Sequence, residues 1–91
     1  MNWSLNYSKD AYQFIVKNHI EDLVIDLVKK FLQGRNNPEN QVDVKKLFGK
    51  WEGYYRIRKG SIRIIFSLSY SEKIIFINKI DNRGDAYKDK N

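Results

Sequence analysis

Trp3, Leu5 and Tyr7 alternate with Asn2, Ser4 and Asn6, the two-residue period of a strand with one buried face. Ser8 follows directly and carries the side-chain oxygen that a helix N-cap needs; Ala11, Phe14 and Ile15 then lay out an apolar stripe. Asn18 and His19 interrupt it. The clearest element comes next: Ile20, Leu23, Val24, Leu27, Val28, Phe31 and Leu32 keep the i, i+3, i+4, i+7 spacing of a helix face, with Glu21, Asp22, Asp26, Lys29 and Lys30 outside it. Its acids come early and its lysines late, which suits the helix dipole. Gly34 fits the position just past the helix end, and Arg35-Asn36-Asn37-Pro38 reads as a loop.

Residues 39 to 51 carry a weaker pattern, and Val42, Val44, Leu47 and Phe48 fit either a short strand or an irregular segment. From Gly53 onward the period returns to two. Strands are predicted near 53–59, 61–69 and 73–80, joined by a tight turn at Lys59-Gly60-Ser61 and a second turn between Ser69 and Lys73. On the middle strand Ile62, Ile64, Phe66 and Leu68 share one face, while Arg63, Ile65 and Ser67 share the other. On the strand before it, Tyr55 and Ile57 oppose Tyr54, Arg56 and Arg58. All three strand arginines therefore converge on one side if the helices cover the other. The prediction is an α+β fold, a four-stranded, mostly antiparallel sheet with two helices packed on one face and a basic face opposite. Trp3, Tyr7, Phe14, Phe31, Phe66 and Phe76 are assigned to the core. Ninety-one residues suit one domain, spanning 1–91, with no repeat, low-complexity tract or linker.

Charge divides the chain unevenly. Residues 1 to 44 hold five Lys or Arg against six Asp or Glu, whereas residues 45 to 91 hold twelve against five, so the whole excess of the net +6 lies in the second half. That asymmetry points to a polyanionic or acidic partner, nucleic acid first and an acidic protein second, against the plainer alternative of a solvated basic surface. Without cysteine, disulfides and thiolate metal sites are excluded. No basic segment leads into an apolar stretch and no long apolar run occurs, so a cytoplasmic, soluble chain is expected. His19, the one histidine, has no carboxylate at catalytic or metal spacing and reads as structural. No cofactor and no metal are expected.

The element order, combined with Leu47-x-Gly49, Tyr55-Arg56-Ile57-Arg58, Gly60-x-x-Arg63-Ile64-Ile65-Phe66 and the terminal Asn82-Arg83-Gly84-Asp85-Ala86-Tyr87, resembles the RelE/ParE toxin superfamily of type II toxin–antitoxin systems. The resemblance covers essentially the whole chain, is densest from residue 47 to 88, and is closer to the RelE branch. It implies a metal-independent endoribonuclease that enters the ribosomal A site, cuts mRNA with the neighbouring 2′-OH as nucleophile, and is held inactive by a cognate antitoxin, expected to be acidic. It places Arg63 at the phosphate-stabilising arginine position, Arg83 at the second arginine position, and Tyr87 at the stacking or proton-transfer position. Arg56 and Arg58 stand where RelE itself carries a pair of lysines. Guanidinium forks bind the non-bridging oxygens of a phosphorane bidentately, but a guanidinium does not give up its proton, so base duty shifts to Tyr87. A surrounding cluster of arginines would favour the Tyr87 phenolate.

Around that centre, Lys45, Lys46, Lys50, Lys59, Lys79 and Lys88 are candidate contacts for mRNA and ribosomal RNA, and Trp51 and Tyr54 for base stacking. The plainer alternatives are that Arg56, Arg58 and Arg63 are solvated strand cations paired with Glu52, Glu72 or Asp85, and that Tyr87 anchors the C-terminus. The Asn82-Arg83-Gly84-Asp85 stretch, with one glycine, is a weak phosphate-loop signal. The main functional rival is a ParE-like protein that inhibits DNA gyrase by contact and cuts nothing.

Overall fold

The computed structural model describes residues 2–34 and 42–82. Along the chain these form β1 (Ser4–Tyr7), α1 (Lys9–Asn18), α2 (Glu21–Gln33), β2 (Asp43–Lys46), a 3-10 turn at Gly49–Trp51, β3 (Tyr55–Lys59), β4 (Ile62–Ser69) and β5 (Ile74–Asp81). The sheet has five strands in the order β1-β5-β4-β3-β2, one more than the hydrophobic pattern predicts. The extra strand is β2, with the sequence DVKK. Its one apolar residue, Val44, cannot by itself announce a two-residue period, and its three charged residues are what an edge strand tolerates. β1 pairs with β5 in parallel, and the remaining neighbours are antiparallel.

Ser8 holds the beginning of the fold together. Its extended backbone (φ −66°, ψ 163°) caps α1, and its Oγ accepts from the Ala11 N–H at 3.1 Å. The same hydroxyl donates to the Asn78 carbonyl at 2.7 Å, while the Ser8 N–H donates to the Ile77 carbonyl at 2.9 Å. At the other end of α1, His19 closes the helix in the left-handed conformation (φ 56°, ψ 45°), its N–H directed at the Ile15 and Val16 carbonyls. Gly34 behaves differently from expectation. It ends α2 in the right-handed region (φ −78°, ψ −15°), so no left-handed cap is formed there.

The two helices cover one face of the sheet. Ala11 and Ile15 of α1 and Val24, Leu27 and Val28 of α2 pack on Ile57, Ile64, Phe66, Ile75, Ile77 and Ile80. Phe66 is fully buried, edge-on to Phe31 (centroids 5.2 Å apart, planes at 73°) and stacked with Tyr55 (5.8 Å, 25°). Trp3, Tyr7, Phe14 and Phe31 pack at the margin of this core. Phe76 does not. It is half-buried on the opposite face, across from Ser67 and Asn6, because it falls between the buried Ile75 and Ile77.

A β-bulge sets which residues of β5 reach that opposite face. Ile65 pairs with Lys79 and Phe66 with Ile77, leaving Asn78 as the extra residue. Strict alternation from Ile75 and Ile77 would bury Lys79. The bulge instead puts Ile80 into the core and Lys79 on the far face, and the Ser8 hydroxyl holds the bulge by the Asn78 carbonyl. Among the described residues no helix is long and apolar enough to cross a membrane.

Candidate nucleic-acid interface

Strand register brings the arginines together. Arg58 stands directly across from Arg63, and Arg56 across from Ile65, so all three strand arginines lie on the sheet face turned away from the helices. Two cross-strand rows result. One runs Lys45–Arg56–Ile65–Lys79, the other Asp43–Arg58–Arg63–Asp81, from β2 to β5. Like charges placed directly opposite are destabilising. Here an acid flanks the arginine pair at each end of the second row.

Asp43 does more than flank. Its Oδ2 accepts from Arg58 Nε at 2.6 Å and its Oδ1 accepts from Arg56 Nη2 at 3.0 Å, so one carboxylate holds both guanidinium groups. Arg56 is buried at 8% exposure, whereas the Arg58 side chain is half exposed. Arg63 is folded back, with Nη1 donating to the Gly60 carbonyl at 2.8 Å and the Ile62 carbonyl at 3.3 Å. The expected acidic partners were Glu52, Glu72 and Asp85. Among the described residues Asp43 pairs with Arg56 and Arg58, Glu72 accepts from the Ser69 hydroxyl, and Asp85 lies outside the described residues.

Part of this face is covered. The connection from β2 to β3 closes with the Leu47 N–H donating to the Tyr54 carbonyl at 2.9 Å. Gly49 (φ 67°) and Gly53 (φ 92°) take positive φ there, which residues with a Cβ rarely adopt. The connection carries Leu47, Trp51 and Tyr54 onto Ile65, which is fully buried. Trp51 and Tyr54 meet edge-to-face at 5.4 Å. Both are only partly exposed, so the rings proposed for base stacking also form the lid of a small second core. Phe48 is left outside at 67% exposure.

The remaining candidates divide. Lys45 and Lys79 share the arginine face. Lys46 and Lys59 alternate to the helix side, and Lys59 lines a cavity at the sheet edge that is shared by Leu27 and Lys30 of α2 and by Asp43 and Arg58. Lys50 is exposed in the 3-10 turn. Arg83, Tyr87 and Lys88 lie outside the described residues. Among the described residues no three of His, Asp and Glu gather into a possible metal site.

No protein-family model matches the chain. Over 90 residues it is 30% identical to the RelE1 protein of Methanocaldococcus jannaschii, a match that covers 92% of this chain and 98% of that one. The chain belongs to the RelE toxin family. The archaeal RelE in the RelE–RelB complex of Pyrococcus horikoshii superposes with a TM-score of 0.53 at 28% identity, covering 94% of this chain and all of that one. The RelE of the RelB–RelE antitoxin–toxin complex from Methanococcus jannaschii shares the fold, with a TM-score of 0.57 at 22% identity over 85% and 88% of the two chains.

Two features of this RelE toxin escaped the sequence reading. Asp43 sits in the weakly patterned segment, and its signal was the alternation Asp43-x-Lys45 about Val44, which puts an acid on the arginine face if 43–46 is a strand. The bulge was signalled by the spacing of Ile75, Ile77 and Ile80, a step of two followed by a step of three, which keeps one face only if a residue is inserted.

Proposed function

We propose that this RelE toxin is a ribosome-dependent mRNA endoribonuclease of the cytoplasm, acting without a metal and neutralised by a cognate antitoxin. The observation that carries the reading is the placement of Arg58 directly across from Arg63, with Arg56 beside them, on the helix-free face of the sheet. An RNA phosphate laid on this face meets guanidinium donors from two adjacent strands. As the 2′-oxygen attacks phosphorus and the bond to the 5′-oxygen breaks, negative charge builds on the non-bridging oxygens, where fixed guanidinium donors stabilise it most. The proton leaving the 2′-OH needs an acceptor, and the 5′-oxygen needs a proton. None of the three strand arginines can serve as acceptor, so that role goes to Tyr87, with Arg83 as a further phosphate ligand, both assigned by resemblance. Lys45 and Lys79 widen the cationic surface on either side.

The antitoxin partner is supported by the company the fold keeps, since the Pyrococcus and Methanococcus relatives are both toxin–antitoxin complexes. A net charge of +6 favours an acidic one.

The test is to add the purified protein to a translating extract and map mRNA 5′ ends, with a DNA gyrase supercoiling assay alongside. The expected result is new ends within the ribosomal A-site codon, unaffected supercoiling, and a cleavage rate about 10²- to 10³-fold lower for Arg63→Ala at unchanged fold. Intact mRNA with inhibited gyrase would replace this reading with a ParE-like one.

A further inference from the structure

We propose that Asp43 is a positioning residue of the phosphate site, setting Arg56 and Arg58 side by side for a single RNA phosphate. The inference rests on the endoribonuclease reading of the arginine face and adds to it a residue from outside the arginine set. Two observations carry it. The carboxylate divides itself, one oxygen to Arg58 Nε at 2.6 Å and the other to Arg56 Nη2 at 3.0 Å, so the two side chains are tied to one anchor. The anchor stands on a strand in register with both, Asp43 across from Arg58 and Lys45 across from Arg56.

An arginine loses much rotamer freedom when it is fixed. Holding two of them before substrate arrives removes that cost from the reacting complex, and misplacement of a catalytic group by about 1 Å can cost about 10²-fold in rate. Engaging Nε of Arg58 also dictates which N–H groups remain to meet a phosphate, namely those of the terminal nitrogens of this half-exposed side chain. The carboxylate carries a penalty in affinity, because it repels the phosphate it prepares for. Positioning and attraction therefore oppose each other at this residue, which makes them separable.

The experiment compares the parent with Asp43→Asn and Asp43→Glu in single-turnover cleavage of ribosome-bound mRNA at saturating toxin, together with equilibrium binding of a fluorescent single-stranded RNA. For Asp43→Asn the expected result is RNA affinity raised about twofold to fivefold and saturated cleavage lowered about tenfold to a hundredfold, with partial recovery in Asp43→Glu. Unchanged or faster cleavage would overturn the proposal, leaving Asp43 as a charge that merely damps binding. Cleavage and affinity falling in parallel would overturn it as well. If Asp43→Asn does not fold, Asp43→Ser takes its place with the same criteria. Should the parent cut nothing, the endoribonuclease reading fails by itself, and positioning is then judged from NMR of the arginine Nε–H groups. Solvent exchange of Arg58 Nε–H at least about tenfold faster in Asp43→Asn than in the parent supports it, and equal exchange overturns it.

Discussion

On the helix side of the sheet Ile57, Ile64, Phe66, Ile75 and Ile77 are fully buried, whereas on the other side the same strands carry Arg56, Arg58, Arg63 and Lys79 and fully bury only Ile65. The first face is closed by two helices with a broad apolar stripe each. The second is closed in one corner by a short connection that brings three side chains, Leu47, Trp51 and Tyr54. The difference teaches that this fold keeps its stability and its charge on separate surfaces. A core residue can be judged by what it touches, while a residue of the arginine face has to be judged by what it leaves available.

The sharpest way to break that division is to damage each face in turn. Phe66→Ala removes a ring in contact with Phe31 and Tyr55 and is expected to cost about 3 to 5 kcal/mol, a large share of the stability of a small domain. Urea unfolding would show a lower midpoint at an unchanged slope. On the second face Ile65→Ala should cost less, about 2 kcal/mol, because the loop above it can settle into the space. The diagnostic is the distribution of the damage. Amide exchange should quicken between residues 47 and 54 while protection in α1 and α2 stays at the parental level. If exchange in the helices rose equally, the two cores would be one.

The smallest expected effect concerns the boundary of the helix side, where burial first and the Glu21 carboxylate second raise the Tyr7 phenol above its ordinary value of 10.0. A raised folded-state value means that the folded chain holds this proton more tightly than the unfolded chain. The associated stability is fully present below about pH 10 and is lost as pH rises through the folded-state value. Tyr7→Phe should therefore flatten part of the alkaline fall in unfolding midpoint, a change of less than about 1 kcal/mol because the ring is only partly buried. A parental alkaline profile in Tyr7→Phe would assign the fall to other tyrosines.

The same contrast explains what could be read from the chain alone. The helices and the β3 to β5 meander were legible because a two-sided environment writes a strong period. Ile20 through Leu32 bury one face and expose the other, and Ile62 through Leu68 put Ile64 and Phe66 into the main core while Arg63 and Ser67 on the opposite face stay only partly buried. The convergence of Arg56, Arg58 and Arg63 followed from that alternation. Phe76 lies outside the core despite its hydrophobicity, because Ile75 and Ile77 already occupy the buried phase of the strand. β2 was not distinguishable because an edge strand with a single apolar residue buries too little to impose a period. Asp43 was missed for a related reason. Its partners lie 13 and 15 residues away, and only strand register makes them neighbours.

The central claim is that the arginine face, and not the helix face, meets mRNA. Photocrosslinking tests it directly, with benzoylphenylalanine placed at Lys45, exposed on the arginine face, or at Lys29, exposed on α2, and each toxin bound to a ribosome carrying a labelled mRNA whose A-site 2′-OH is blocked. The account predicts crosslinks from position 45 to the A-site codon and none to mRNA from position 29. Crosslinks to that codon from position 29 alone would contradict it.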